Sequence, residues 1–420
     1  MSRNYPKLLF FSVTSSCVLL VLPCLPFQSL TAEEYTPVST WDNLALQRIE
    51  KPPLGLPAVP LPDDNPPTAG KIRLGRKLFF DRRLSRNGTL SCAMCHVPEQ
   101  GFAVNETATA VGNEGKPLRR NAPTLFNVAF MKALFHDGKE TALETQVISP
   151  LLAADEMGNP SIGYLLARIT GMEDYNGLFE AAFDRDASIG TIGEAIATYE
   201  RSLLSANSRF DRWYFGKEKG ALTAKEREGF RLFTGKANCA MCHRIAGKHA
   251  LFTDNAFHDT GLGWMKSPAG LPKEPSVEVQ LAPGVFTSID RRTVESVGLP
   301  EKKDLGRYEV TLDPSDLFRF KTPTLRNVAL TAPYMHDGSL GTLHDVLVFY
   351  NRGGRPHKGL DPLIKPLGLK REEMDALEAF LNSLTGDNIR ELTEDARSEK
   401  VGNPGDTHFR ADPYPSADRD

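Results

Sequence analysis

Apolar residues recur at helical spacing in three segments of the chain, whereas the strict alternation of a β-strand is scarce. Residues 75–80 and 229–233 each have the pattern of an amphipathic helix, and residues 192–205 have apolar positions at the same spacing. The 30 prolines and 34 glycines break the chain into many turns. We therefore predict a mainly helical fold with long connections. We expect residues 262–306, which have little periodicity, to form a long loop packed over the second half.

Two identical five-residue motifs follow the two amphipathic segments. Residues 92–96 and 239–243 both read Cys-Ala-Met-Cys-His, a pattern typical of covalent attachment of a c-type haem. The two thiols form thioether bonds with the haem vinyl groups, and the adjoining histidine becomes the proximal ligand of the iron. We predict two bound haem c cofactors, haem 1 and haem 2. The residues that would hold them are Cys92, Cys95 and His96 for haem 1 and Cys239, Cys242 and His243 for haem 2.

Two other chemistries use closely spaced cysteines. A redox-active Cys-x-x-Cys pair and half of a zinc site are the alternatives to haem attachment. A zinc ribbon would lack the histidine, and a thioredoxin-like motif would not recur. Both alternatives are therefore disfavoured by the repetition of the whole five-residue string.

The first 32 residues have the pattern of a secretory signal peptide. Arg3 and Lys7 precede an apolar run over residues 8–22, and small residues follow at positions 29, 31 and 32. The run is short for a membrane span. A retained membrane anchor remains an alternative, and a lipoprotein at Cys24 is disfavoured by Pro23. Because c-type haem is attached outside the bacterial cytoplasm, we predict a periplasmic protein with no stable membrane span.

The charge pattern shows no basic stripe, and the formal net charge is -3, so nucleic acid is not suggested as a partner. Once the signal peptide is removed, about 390 residues remain, which is enough for two or three domains. We expect residues 208–216 to be a surface turn that precedes a domain boundary near Lys219.

An internal repeat extends beyond the two motifs. Residues 123–129 and 323–329 match at an offset of 200, and so do the His-Asp-Gly triplets at 136–138 and 336–338. The chain is therefore interpreted as a duplicated haem domain. The predicted segments are a signal peptide (1–32), an N-terminal extension (33–67), a first haem domain (68–218), a second haem domain (219–386) and a poorly ordered tail (387–420).

The same offset pairs Pro150 with Tyr350, each fourteen residues after the histidine of its triplet. Proline has no side-chain donor atom for iron, whereas tyrosine has a phenolate oxygen. If both positions face the iron, haem 1 keeps an empty sixth site and haem 2 is closed by Tyr350. The alternative is that Tyr350 is a core aromatic residue on a helix.

These features resemble the bacterial di-haem cytochrome c peroxidase superfamily over about residues 68–385, and they lean towards its MauG-like branch. The resemblance implies a mainly α fold of two tandem class-I cytochrome c-like haem domains with long loops. Tyr350 stands where conventional members carry a methionine ligand and where the MauG group carries tyrosine. Conventional members also have a histidine that blocks haem 1, whereas residues 97–135 contain none. The resemblance therefore implies a five-coordinate haem 1 that needs no reductive activation.

The resemblance also implies a distal pocket at haem 1. Glu156, Gln146 and Pro150 match the family's spacing, and we expect Glu156 to move protons during peroxide cleavage. Gln146 would form hydrogen bonds in the pocket. A surface glutamate and a helix-surface glutamine are the alternatives.

Between the haems, the family holds a calcium ion, and the matching positions are Asn121, Thr331 and Pro333. Oxygen donors suit such a cation, although these residues could equally shape turns. His336 matches a histidine near the propionates of haem 2, where a plain structural hydrogen bond is an equally good interpretation. His136 departs from the family because a tryptophan usually stands there, and a histidine is a poorer redox relay.

A second departure concerns the route to a protein substrate. Ala237 stands where MauG has a surface tryptophan, so the exit route would differ. Trp41, Trp213 and Trp264 are alternatives without positional support, and ordinary packing is the simpler interpretation of each.

Three functions remain open on the sequence. The first is a periplasmic hydrogen-peroxide-dependent oxidoreductase that oxidises a partner protein at long range, as the resemblance to MauG implies. The second is a cytochrome c peroxidase that takes electrons from a small periplasmic cytochrome c or cupredoxin. The third is a non-catalytic electron-transfer dihaem cytochrome, which requires six ligands at both irons.

Overall fold

The computed structural model describes residues 38–266, 276–282, 285–290 and 303–403. The predicted signal peptide lies outside the described residues, as do positions 404–420 of the predicted tail. Within the described part of the chain, no helix is long and apolar enough to cross a membrane.

The structure is rich in helices and has two small antiparallel sheets. The helices are α1 (Thr40–Glu50), α2 (Ala69–Phe80), α3 (Cys92–Cys95), α4 (Leu143–Gln146), α5 (Ile148–Leu152), α6 (Ile162–Thr170), α7 (Leu178–Phe183), α8 (Ile189–Arg201), α9 (Arg209–Tyr214), α10 (Ala224–Thr234), α11 (Leu262–Met265), α12 (Tyr308–Thr311), α13 (Leu343–Asn351), α14 (Arg371–Asn382) and α15 (Ile389–Ala396). The strands are β1 (Phe257–His258), β2 (Ser276–Ala282), β3 (Val285–Asp290) and β4 (Phe320–Lys321), paired as β1 with β4 and β2 with β3.

The three helical segments predicted from apolar spacing all lie on helices. Residues 75–80 belong to α2, residues 229–233 belong to α10, and most of residues 192–205 belong to α8. Capping boxes fix the starts of α8 and α10, at Ser188 and Thr223 respectively, because each side chain bonds the third backbone N–H.

Each half of the chain is built on one tightly crossed helix pair. Helix α2 packs on α8, and α10 packs on α14. Gly75 and Gly229 stand at the crossings, where a Cβ would lie 2.0 Å from the carbonyl oxygens of Ala195 and Ala376 respectively. Glycine costs a helix about 1 kcal/mol relative to alanine, so its presence here is explained by the close approach of the two backbones.

Replacing Gly229 by alanine should force α10 away from α14. Overpacking of this kind costs about 1–3 kcal/mol, and urea unfolding of the holoprotein would measure it. Gly220→Ala is the matched control, since nothing lies within 4 Å of a Cβ at that position. Equal unfolding midpoints for the two variants would contradict the explanation.

Two expectations about irregular segments are wrong. Residues 209–214 form α9, so the segment 208–216 is not a surface turn. Ser208 and Asp211 make a capping box, and the side chain of Phe210 is fully buried among apolar residues of α10 and α14. The predicted long loop at 262–306 contains α11 and the β2–β3 hairpin, whose register shifts between Gln280 and Ala282.

The prediction of a poorly ordered tail is wrong for residues 387–403. Helix α15 buries Leu392 and Ala396 in a cluster of apolar residues that includes side chains of α2 and α8. Asp395, which is 1% exposed, accepts hydrogen bonds from Arg48 and Arg76. The ion pairs and the apolar face hold this helix against α1 and α2, an arrangement that a charged sequence does not reveal by itself.

Candidate haem sites

All the residues predicted to bind cofactors line one cavity. Its volume is about 850 Å³, and it lies inside the compact unit that contains all the described residues. The predicted residues on its wall are Cys92, Cys95, His96, Asn121, His136, Gln146, Pro150, Glu156, Cys239, Cys242, His243, Thr331, Pro333, His336 and Tyr350. The structure therefore brings together groups from both halves of the sequence.

The two motif histidines are held in the same way. Nδ1–H of His96 donates to the carbonyl of Phe102 at 3.1 Å, and that of His243 donates to Phe252 at 2.9 Å. Both phenylalanines have a φ of 52°, a left-handed backbone conformation. Burial lowers the pKa of both imidazoles. A neutral ring whose Nδ1 is occupied presents Nε2 as a ligand, as iron requires.

The four motif cysteines are free thiols, and they form no disulfide within the described chain. Burial raises the pKa of Cys95 to about 11 and that of Cys239 to about 12. A zinc site needs thiolates, whereas thioether attachment uses both sulfurs of each motif. The donor set of buried thiols and neutral histidines therefore fits two c-type haems.

The predicted distal residues of haem 1 come from consecutive segments. Gln146 ends α4, and Pro150 lies within α5. Glu156 follows in a turn, where its backbone N–H donates to the carbonyl of Ala153 at 3.0 Å. Burial raises the pKa of Glu156, and the charge of Asp155 adds to the effect. A carboxyl group with a raised pKa is better suited to accept a proton and to donate it again.

Glu156 and Tyr350 lie near different haem motifs. The charge of Glu156 contributes to the raised pKa values of Cys92 and Cys95, which places it beside the first motif. Burial raises the pKa of Tyr350, and the second motif's Cys242 and Cys239 add to the effect. The phenol of Tyr350 would therefore stay protonated unless a cation such as iron stabilised its anion.

The two histidines of the His-Asp-Gly triplets are linked by hydrogen bonds to the backbone of Asn121. Nε2–H of His136 donates to the Asn121 carbonyl at 2.9 Å, and the Asn121 N–H donates to the His336 carbonyl at 2.8 Å. Burial lowers the pKa of both imidazoles to about 4, so they are neutral at pH 7. The ring of His336 stacks on Phe320, with centroids 3.6 Å apart.

The residues predicted to bind calcium lie on the same wall. The side-chain N–H of Asn121 donates to the carbonyl of Ala108 at 2.9 Å, and the hydroxyl of Thr331 donates to Val328 at 3.3 Å. Asn121 is about 210 residues away from Thr331 and Pro333 in the sequence, and the fold places all three on the wall of one cavity. A calcium site there stays a prediction.

His258, which is not among the residues predicted from the sequence, lies between two carboxylates near the second motif. Its Nδ1 is 2.7 Å from Asp361, and its Nε2 is 3.0 Å from Asp254. The sulfur of Cys242 and these two aspartates raise the pKa of His258 to about 10. Cys242, Asp254 and His258 are close enough to bind a metal, but haem attachment would consume that sulfur. Asp254 and His258 are four residues apart in the sequence, and this spacing alone only weakly indicates that their side chains are in contact.

Glu200, which is also not among the predicted residues, is buried on the cavity wall near the end of α8. A charged residue on the apolar face of the segment 192–205 was the available signal, since Glu200 lies four residues after Ile196.

Comparison with known proteins identifies the family that this chain resembles. A family model described as di-haem cytochrome c peroxidase matches residues 69–219. Cytochrome-c peroxidase IdrP1 of Denitromonas iodatirespirans is 36% identical over 84% of this chain and 90% of that protein. Methylamine utilization protein MauG of Methylorubrum extorquens is 38% identical over 78% of this chain and 81% of that protein.

The fold agrees with that of a solved relative. The crystal structure of a MauG-like protein associated with microbial copper homeostasis matches with a TM-score of 0.65 and 32% identity. The match covers 81% of this chain and 96% of that chain. The chain therefore belongs to the di-haem cytochrome c peroxidase family, and it is a peroxidase-type oxidoreductase that acts on peroxide.

Proposed function

We propose that the chain is a MauG-like enzyme that uses hydrogen peroxide to oxidise a partner protein at long range. The observation that carries the proposal is the asymmetry of the cavity wall, where Pro150 lies in the segment that leads to Glu156, beside the first motif, and Tyr350 lies beside the second. Haem 1 would then be open to peroxide, whereas His243 and Tyr350 would close haem 2.

The role of each side chain follows from its chemistry. When bound, an open haem 1 supplies the iron at which peroxide reacts. Glu156 removes a proton from the near peroxide oxygen and delivers one to the departing oxygen. Gln146 holds the distal groups in place by hydrogen bonding. Pro150 would offer no ligand to the iron of haem 1, because its side chain has no donor atom.

Tyr350 suits haem 2 to storing an oxidising equivalent. An anionic oxygen ligand favours the ferric and higher oxidation states of iron. A haem with such a ligand is hard to reduce and is therefore a poor entry point for electrons from a small donor. Oxidation of a partner protein is therefore favoured, whereas electron donation by a small cytochrome is disfavoured.

Cytochrome c peroxidase activity is the second candidate, with a small periplasmic cytochrome c or cupredoxin as donor. His136 weakens the case for the first candidate, since an imidazole is a poorer hopping site than the family's usual tryptophan and long-range oxidation needs charge to pass between the haems. The second candidate is also favoured by the relative named cytochrome-c peroxidase IdrP1. Rapid peroxide reduction with reduced cytochrome c would support this candidate and contradict the first.

Electron paramagnetic resonance of the ferric holoprotein tests the coordination directly. We expect one high-spin haem and one low-spin haem, whereas two low-spin haems would favour a plain electron-transfer cytochrome. The duplication into two haem domains, divided near residue 219, is part of the same proposal.

Tyr350→Met should make haem 2 easier to reduce, because a thioether ligand raises the reduction potential relative to an anionic oxygen. Spectroscopic redox titration measures the change. Tyr308→Phe is the control, since Tyr308 does not line the cavity. An unchanged potential in Tyr350→Met would show that the phenol is a core aromatic residue and not a ligand.

Two further parts of the proposal concern location and metal content. We propose that residues 1–32 direct the chain to the periplasm, and N-terminal sequencing of the mature protein tests this. We also propose that Asn121, Thr331 and Pro333 bind calcium between the haems. Metal analysis of the purified holoprotein should then find one calcium ion per chain, and none would contradict the proposal.

A further inference from the structure

Glu200 is a buried acid with no role in the peroxide chemistry assigned to Glu156. Its side chain lines the haem cavity, and the residue is only 5% exposed. Among the described residues, none donates a hydrogen bond to its carboxyl group. Buried ionisable groups are rarely left unpartnered, because the charged form is costly in an apolar environment.

The charged neighbours of Glu200 do not compensate for this burial. Arg201 is the adjacent cation, but its guanidinium is already paired with both oxygens of Glu144, at 2.5 and 3.1 Å. Tyr199 on the same helix and Cys92 on α3 are the other titratable groups that interact with Glu200. Burial therefore raises the pKa of Glu200 to about 8, with Arg201 opposing the rise and Glu144 adding to it.

The second half of the chain provides an internal comparison. A Cβ at Gly75 would meet Ala195 and Tyr199, and a Cβ at Gly229 would meet Ala376 and Phe380 in the same order. This correspondence equates position 199 with 380.

The next position along each helix is therefore 200 in the first half and 381 in the second. Glu200 and Leu381 both line the cavity, as do Ile196 and Leu377 one turn earlier. An apolar residue thus fits this wall position, and packing does not require a carboxyl group there.

We propose that Glu200 is a proton-holding residue that couples the charge of haem 1 to a proton. Glu200 releases its single proton to the water of the cavity when haem 1 loses one electron, and it takes the proton back when haem 1 regains that electron. The electron passes to peroxide in the enzyme or to a redox mediator in a titration. The proposal rests on the placement of haem 1 in the proposed function, and it adds a second acid to that site.

The coupling has an electrostatic cause. Loss of an electron adds positive charge to haem 1, and a nearby anion is then stabilised strongly because the cavity wall has a low dielectric constant. Release of a proton from Glu200 supplies that anion. Leu381 cannot do the same for haem 2, so the coupling should be confined to one of the two haems.

Redox titration of the holoprotein at a series of pH values, without peroxide, tests the proposal. Raising the pH favours loss of the proton and therefore the oxidised form. In the natural protein, the ratio of oxidised to reduced haem 1 at a fixed potential should rise up to tenfold per pH unit around pH 8. In Glu200→Gln, the part of this dependence that is centred around pH 8 should be lost, because the amide cannot release a proton in that range.

Glu194→Gln is the matched control, since Glu194 lies on the same helix, pairs with Arg185 and does not line the cavity. It should keep the pH dependence. Retention of the dependence in Glu200→Gln, or its absence from the natural protein, would overturn the proposal. Failure of peroxide turnover would leave these titrations unaffected, so the two proposals fail separately.

If Glu200→Gln does not retain haem, infrared difference spectra of the Glu156→Gln holoprotein decide the question. The carbonyl stretch of a protonated carboxylic acid should then disappear when haem 1 is oxidised. A spectrum with no such change would overturn the proposal.

Discussion

Glu156→Gln should slow the reaction of the ferric holoprotein with hydrogen peroxide by about 10²–10⁴-fold, the usual contribution of a positioned acid or base. Glutamine keeps the shape of the side chain but can neither accept nor donate the peroxide proton. Both haems should stay bound, because Glu156 lies near the first motif without being one of its attachment residues. Stopped-flow absorbance after mixing with peroxide measures the rate.

The pH dependence of the same reaction gives an independent check. The carboxylate form of Glu156 accepts the first proton, and burial raises the pKa at which that form appears. The rate should therefore rise with pH and then level off in the natural protein, whereas Glu156→Gln should show no such rise.

Glu140→Gln is a suitable control, because the carboxyl of Glu140 bonds Thr145 and does not line the cavity. Its rate should match that of the natural protein. A Glu156→Gln rate within a factor of two of the control would remove Glu156 from the proton chemistry.

Asp395→Ala should lower the free energy of unfolding by about 3–5 kcal/mol, the usual result of breaking a buried ion pair. Asp395 accepts hydrogen bonds from Arg48 and Arg76, and the side chain of Arg76 is fully buried. Asp42 alone, 2.5 Å from Arg76, would then have to compensate that guanidinium. Urea unfolding of the holoprotein, followed by circular dichroism, measures the loss.

Glu391→Gln provides the comparison within α15. Glu391 pairs with Arg48 at 2.7 Å, but its side chain is 44% exposed. Solvent screening limits an ion pair of this kind to about 0–1 kcal/mol. If Asp395→Ala were no more destabilising than Glu391→Gln, the buried network would not hold α15 in place.

The parts of this protein that the sequence predicts well are those carried by local patterns. The haem motifs are contiguous strings that can be found without knowing the fold, and both lie on the cavity wall. Pro150 and Tyr350 are paired by the offset of 200 residues that also relates the two His-Asp-Gly triplets. Amphipathic spacing located α2, α8 and α10 because one face of each helix is buried.

The parts that the sequence did not predict depend on partners far away in the chain. Asp395 and Arg76 are 319 residues apart, so no local pattern identifies the charged tail as a buried helix. Glu200 appears as one charged residue among many until the fold places it on the cavity wall. The segment around Phe210 is predicted to be a turn because it also contains charged residues, and its short sequence does not show that one face of α9 is buried.

Helix α15 completes the core of the first half with residues from the far end of the polypeptide. A ribosome must therefore synthesise the chain at least as far as residue 395 before Arg76 can meet Asp395. An isolated amino-terminal half would leave the buried guanidinium of Arg76 with Asp42 as its remaining carboxylate partner. The packing of the first half can therefore be completed only after α15 has been made.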